Sequence, residues 1–115
     1  MLTEKQQNEF EDNGIVVLPR FLGSKTLKSL EQVSDELQGK ASYSGKGRWD
    51  MRNCLPKHLI FSDLLIRKSL LTTVRQLLDC NAKLLGSHLV KVRGGSTNQG
   101  LILDWHRDGG VMSVS

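Results

Sequence analysis

The sequence predicts an α+β fold in which helices come first and strands follow. Leu27, Leu30, Val33 and Leu37 recur at helical spacing in the first third of the chain. That period disappears over residues 84–93 and 101–106, where short apolar runs flank a Gly-rich turn and read as extended. The 115 residues, 38% of them hydrophobic, suit one domain or part of one, with a modest core.

Each element has a local cause. Thr3 and Gln6 have the spacing of a capping box, with Gln7, Phe10 and Glu11 continuing a short helix. Asn13-Gly14 breaks it, because both residues tolerate positive φ. Ile15-Val16-Val17-Leu18 is a β-branched run stopped by Pro19, and predicts a strand. Ser24 is placed to cap the second helix, which Gly39 terminates. From 39 to 53 the chain is rich in Gly, Ser and Lys and has no period, so it predicts a long loop, either a functional lid or a plain connector. Ser62 and Asp63 open another helical region. Its Leu64, Leu65, Leu71, Val74, Leu77 and Leu78 fit one helix or two meeting near Ser69, with Asn81 as the stop. Residues 84–93 form a strand, 94–98 a turn, 101–106 a second strand, and 111–115 the start of a third.

The resulting organisation is a single incomplete domain over 1–115. It has a helix–strand–helix opening (1–38), a loop (39–53), a helical stretch (54–83) and a strand region (84–115). So few strands leave an edge and a face uncovered, so the chain reads as truncated and prone to self-association through unpaired strand edges.

Composition excludes collagen-like, disulfide-scaffold and acidic disordered classes. No stretch approaches the roughly 18–20 apolar residues of a membrane span. The polar N-terminus is unlike a signal peptide, so a cytoplasmic protein without a membrane partner is expected. The net charge of +4 is unevenly distributed: residues 1–38 carry seven acids and four bases, and 39–115 carry five acids and twelve bases. These bases are scattered and lack interleaved aromatics, so a nucleic-acid partner is not expected despite a pI near 9.3. Cys54 and Cys80 have no metal-binding spacing and predict free thiols, with Cys80 buried as a small hydrophobe.

The chemistry-bearing cluster is Asp104-Trp105-His106-Arg107-Asp108-Gly109-Gly110. In an extended segment alternate side chains share a face, so Asp104, His106 and Asp108 point one way and Trp105 the other, toward a core. Imidazole and carboxylate at that spacing can converge on a divalent first-row metal. A second His from elsewhere would complete a 2-His-1-carboxylate set with open positions. By spacing alone the cluster reads first as a surface His beside a carboxylate and only second as a metal site, because twelve acids in 115 residues make H-x-D common.

The chain resembles the N-terminal half of the phytanoyl-CoA dioxygenase family of Fe(II)- and 2-oxoglutarate-dependent oxygenases. The resemblance rests on Leu2-Thr3-Glu4-Lys5-Gln6 through Phe10, Asn13-Gly14-Ile15-Val16-Val17-Leu18-Pro19, Phe21-Leu22, the Leu27/Leu30/Val33/Leu37 helix, and Trp105-His106-Arg107-Asp108-Gly109-Gly110. It implies helices packed on the first strands of a double-stranded β-helix, or jelly roll. It implies His106 and Asp108 as iron ligands, with Asp104 the rival carboxylate, and 2-oxoglutarate as cosubstrate. It also implies Lys91 as a 2-oxoglutarate contact, against a solvent-facing lysine on a half-buried strand. Small-molecule substrate and O2 are the implied partners, with the 39–53 loop (Lys40, Lys46, Arg48, Arg52) as a lid for an anionic substrate. The family's second His ligand and cosubstrate-clamping Arg, which follow well downstream of H-x-D, have no counterpart in the seven residues after Asp108. His88 is the substitute within the chain, and is otherwise, like His58, a structural or surface residue. The alternative is a non-catalytic truncated member, acting as a binding or interaction module or persisting as a gene remnant.

Overall fold

The computed structural model describes residues 1–95. The strands expected over 101–106 and 111–115, and the candidate ligands Asp104, His106 and Asp108, lie outside the described residues. Within 1–95 the chain is α+β, with four α-helices and one antiparallel strand pair.

Helix α1 (Glu4–Asn13) begins at the expected capping box. The Thr3 hydroxyl accepts from the Gln6 N–H at 3.2 Å, and the Gln6 side chain accepts from the Thr3 N–H at 2.9 Å. Gly14 closes it at φ 72°, donating to the Phe10 carbonyl at 2.7 Å. Leu2, just before this helix, is buried, and its N–H donates to the Gln76 side chain at 2.9 Å. That bond ties the N-terminus to the fourth helix.

The strand expected over 15–18 does not form. Ile15 is 49% and Val17 69% exposed, and among the described residues no strand lies alongside to complete a ladder. A β-branched run fits a pleated, half-buried surface, and without a partner it stays irregular. Helix α2 (Ser24–Gln38) starts one residue off expectation, with Gly23 at the cap position and Ser24 inside the helix. Gly39 ends it at φ 54°, as predicted.

The predicted 39–53 loop is shorter than expected, because its last part is strand β1 (Arg48–Arg52). β1 pairs antiparallel with β2 (His88–Val92), with Trp49 opposite Lys91 and Met51 opposite Leu89. Alternation puts Trp49, Met51, Leu89 and Lys91 on one face, and Arg48, Asp50, Arg52, His88, Val90 and Val92 on the other. Trp49 is buried, and Lys91 reaches Asp35 and Gln38 of α2, so the first face turns toward that helix. β2 is also narrower than the strand expected over 84–93, with Leu84 and Leu85 exposed before it.

Between the two strands the chain makes a 3-10 turn (Leu55–Lys57), then α3 (Leu59–Leu65) and α4 (Lys68–Leu78). The helical region therefore opens earlier than Ser62. His58 caps α3, its Nδ1 accepting the Ile60 N–H at 3.1 Å, which gives this histidine a structural role. Two helices form, and the break is at Arg67, where ψ is 129°. The Arg67 guanidinium donates to the Thr26 hydroxyl of α2 at 3.0 Å. Asp79, left-handed at φ 52°, stops α4 two residues before Asn81.

The described core is small: Leu2, Val33, Trp49 and Cys54, with Thr73 the buried polar residue. Both cysteines are free thiols, but Cys80 is exposed and Cys54 is buried, contrary to the expectation for Cys80. Because α4 ends at Leu78, Cys80 falls beyond the helix face that would have buried it. No described helix is long and apolar enough to cross a membrane.

Two substitutions separate local from tertiary stabilisation. Thr3→Ala removes the cap and is expected to cost about 1 kcal/mol. Trp49→Ala empties the sheet's buried face and is expected to cost about 3–5 kcal/mol. Urea unfolding followed by circular dichroism measures both, and equal losses would contradict this ordering.

Candidate functional site

The two faces of the β1–β2 pair differ in chemistry. On the helix side, the Lys91 ammonium bonds Asp35 and also donates to the Gln38 side chain at 2.8 Å. The lysine expected to contact 2-oxoglutarate is thus engaged by α2, not solvent-facing, and serves as a polar clasp between helix and strand. Above it, Leu27, Leu30, Leu89 and Val90 line a groove of about 400 Å³ between α2 and β2, with Glu31, Ser34 and Asp35 at its polar side.

The opposite face carries a cluster the sequence reading missed. Asp50 takes two hydrogen bonds from the Arg48 Nε, at 2.8 and 3.0 Å, and a third from its terminal nitrogen at 2.9 Å. The His88 Nε2 lies 2.9 Å from Asp50 Oδ1, an oxygen that also accepts from Arg48. Arg48 and Asp50 are two apart on β1, so the pleat puts them on one face, and His88 is Asp50's diagonal neighbour across the ladder. The signal was present as period-2 alternation in Arg48-Trp49-Asp50-Met51-Arg52, masked by the Gly- and Ser-rich residues before it.

Hydrogen bonding from Arg48, more than any other influence, holds the Asp50 carboxyl below its ordinary pKa, and His88 adds a smaller pull in the same direction. The same contact raises the Arg48 guanidinium above its ordinary value. The lid expected at 39–53 therefore has one of its cations already neutralised. Nearby, the Arg93 guanidinium lies 4.9 Å from the Tyr43 ring centroid, within cation–π range.

Metal ligation is a matter of donor chemistry here. His106 and Asp108, outside the described residues, supply an imidazole and a carboxylate, a pair that suits a divalent first-row ion. Among the described residues no group of three or more His, Cys, Asp and Glu stands close enough to hold one. His58 uses its Nδ1 to cap α3, whereas His88 is oriented by a carboxylate on the open sheet face. A carboxylate-oriented imidazole is the usual arrangement for a ligating histidine, and an exposed ion pair has the same geometry. No protein-family model, curated protein or solved structure matches this chain.

Asp50 gives a pH prediction with a definite sign. Its pKa is lowered on folding, so the pair stabilises the fold above the ordinary carboxyl range near ~4, and that contribution is lost as pH falls through the folded-state value. Carbon-detected NMR titration should find the Asp50 carboxyl below that range. Arg48→Ala should raise it more than His88→Ala does. Added salt should weaken the effect, because both partners are solvent-accessible.

Proposed function

We propose that this chain is the N-terminal part of an Fe(II)- and 2-oxoglutarate-dependent oxygenase of the phytanoyl-CoA dioxygenase type, acting on a small organic substrate. The observation that carries the proposal is Trp105-His106-Arg107-Asp108-Gly109-Gly110, placed after a strand and a Gly-rich turn. The layout of the described residues supports it: an antiparallel pair with helices on one face and an open, polar second face is what the opening of a jelly roll would present. Iron chelated with 2-oxoglutarate would, with O2 as oxidant, supply oxidative decarboxylation of the cosubstrate to succinate and CO2 coupled to hydroxylation of an unactivated C–H bond.

In this reading His106 and Asp108 would hold the metal through an imidazole nitrogen and a carboxylate oxygen, with Asp104 as the competing carboxylate. Lys91 keeps its place between Asp35 and Gln38 and fixes β2 against α2. The exposed Val90 and Val92 and the free strand edges favour a second reading, a non-catalytic module that associates through this sheet.

The two are separated by anaerobic titration with Fe(II) and 2-oxoglutarate, watching for the visible charge-transfer band of the chelated cosubstrate. The oxygenase reading expects a band that His106→Ala and Asp108→Ala each abolish, and that Lys91→Met leaves in place while lowering the thermal midpoint. Absence of the band in a chain with native circular dichroism would leave the interaction module.

A further inference from the structure

A second cavity, of about 370 Å³, lies between α2 and α3, at the small end of the range that ligand pockets occupy. Leu30, Ile60 and Leu64 give it an apolar wall, and Lys25, Asp63 and Arg67 bring charge to it. It shares Leu30 with the groove between α2 and β2, and contains neither a candidate iron ligand nor Lys91.

Arg67 is its most informative residue. It stands at the break between α3 and α4, four positions after Asp63, the spacing at which opposite charges on a helix ordinarily meet. Among the described residues, however, no ion pair forms at Asp63, Arg67 or Lys25. The guanidinium turns instead to α2 and donates to the Thr26 hydroxyl at 3.0 Å. A guanidinium carries several N–H donors in a rigid fork, so one bond orients it and leaves other donors unspent. Thr26 accepts that bond and keeps its own hydroxyl proton to donate, whereas the Ser29 proton goes to the Lys25 carbonyl at 3.1 Å. The cavity thus presents an oriented cation, a second cation and a hydroxyl donor beside an aliphatic wall.

Its charge balance narrows the ligand. Two cations, Lys25 and Arg67, against one anion, Asp63, leave an excess of one positive charge. A single carboxylate neutralises that excess, and its planar geometry matches the guanidinium fork. A dianion would overshoot it and meet Asp63 as a like charge.

We propose that this cavity binds a small organic monocarboxylate with a compact apolar body. Arg67, Lys25 and Thr26 hold the carboxylate, and the apolar part lies against Leu30, Ile60 and Leu64. Asp63 acts as a specificity residue that disfavours a second negative charge. The site is independent of the iron-binding proposal, and binding is read without metal.

Titration of the full, metal-free chain with 3-phenylpropanoate, followed by amide NMR, tests it. The uncharged 3-phenylpropan-1-ol and the dianionic 3-phenylpropyl phosphate serve as comparisons. Saturable shifts confined to residues 25–30 and 60–67 are expected, with the carboxylate binding about ten-fold or more tighter than the alcohol. Arg67→Met should weaken the carboxylate by about ten-fold or more and leave the alcohol unchanged, and Lys25→Met should cost less, as a point charge without the fork. Asp63→Asn should strengthen phosphate binding more than carboxylate binding. Should Arg67→Met unfold, the comparison of carboxylate with alcohol on the unaltered chain still decides. A carboxylate that binds no tighter than the alcohol would make the cavity a plain apolar crevice and overturn the proposal. Shifts that spread over the surface without saturating would overturn it too, as would a preference of the unaltered chain for the phosphate.

Discussion

Everything in this structure hangs from the pairing of β1 with β2. The two strands are far apart in sequence, and the 3-10 turn, α3 and α4 all lie between them. Bringing Arg48 opposite Val92 and Arg52 opposite His88 closes that whole segment into a loop. Closure of a long loop costs entropy that grows slowly with its length, and the ladder, with the Leu55 N–H donating to the Ser87 hydroxyl at 3.0 Å, offsets it. With the loop closed, α2 has a surface to meet, and Lys91 can reach Asp35 and Gln38. The N-terminus is held separately, through Leu2 and Gln76 on α4. Without the ladder the helices have few buried side chains to hold them together, since none of α1, α3 or the 3-10 turn contributes a fully buried residue.

The pair divides its two faces between structure and chemistry. Toward α2 it shows Trp49, Met51 and Leu89, with one lysine whose charge is met by the helix. Away from α2 it shows Arg48, Asp50 and Arg52 opposite Val92, Val90 and His88. Apolar valines among charged residues make an amphipathic surface, neither a core nor a plain solvated exterior. Such a face is suited to meet a further element that offers both apolar and charged groups.

The sequence was most legible where a local interaction decides the structure. The Thr3/Gln6 box, the breaks at Gly14 and Gly39, and the stripe along α2 all act within a few residues, and each is found where expected. It was least legible where a distant partner decides. Residues 15–18 have the composition of a strand but no neighbour to pair with among the described residues, whereas 48–52 sit in loop-like surroundings and become a strand because β2 arrives alongside. Cys80 follows the same rule: its burial depended on whether α4 extended one more turn, and Asp79 ended it first. The candidate ligands His106 and Asp108 are readable as a motif alone, and the Arg48–Asp50–His88 cluster was readable only as an alternation, because it takes the pleat and the arrival of β2 to turn that alternation into geometry. Lys91 shows the limit of such reading, since alternation placed it on a face without saying what that face would meet.

The two thiols differ in a way that makes the chain report on its own opening. Cys80 lies exposed beyond α4, while Cys54 is 6% exposed at the junction of β1 and the 3-10 turn. An alkylating reagent meets the first at the rate of an open thiol, whereas the second reacts only when the junction parts. The mass of the labelled chain thus separates into two kinetic classes, one counting molecules and the other timing how often the strand pair lets go.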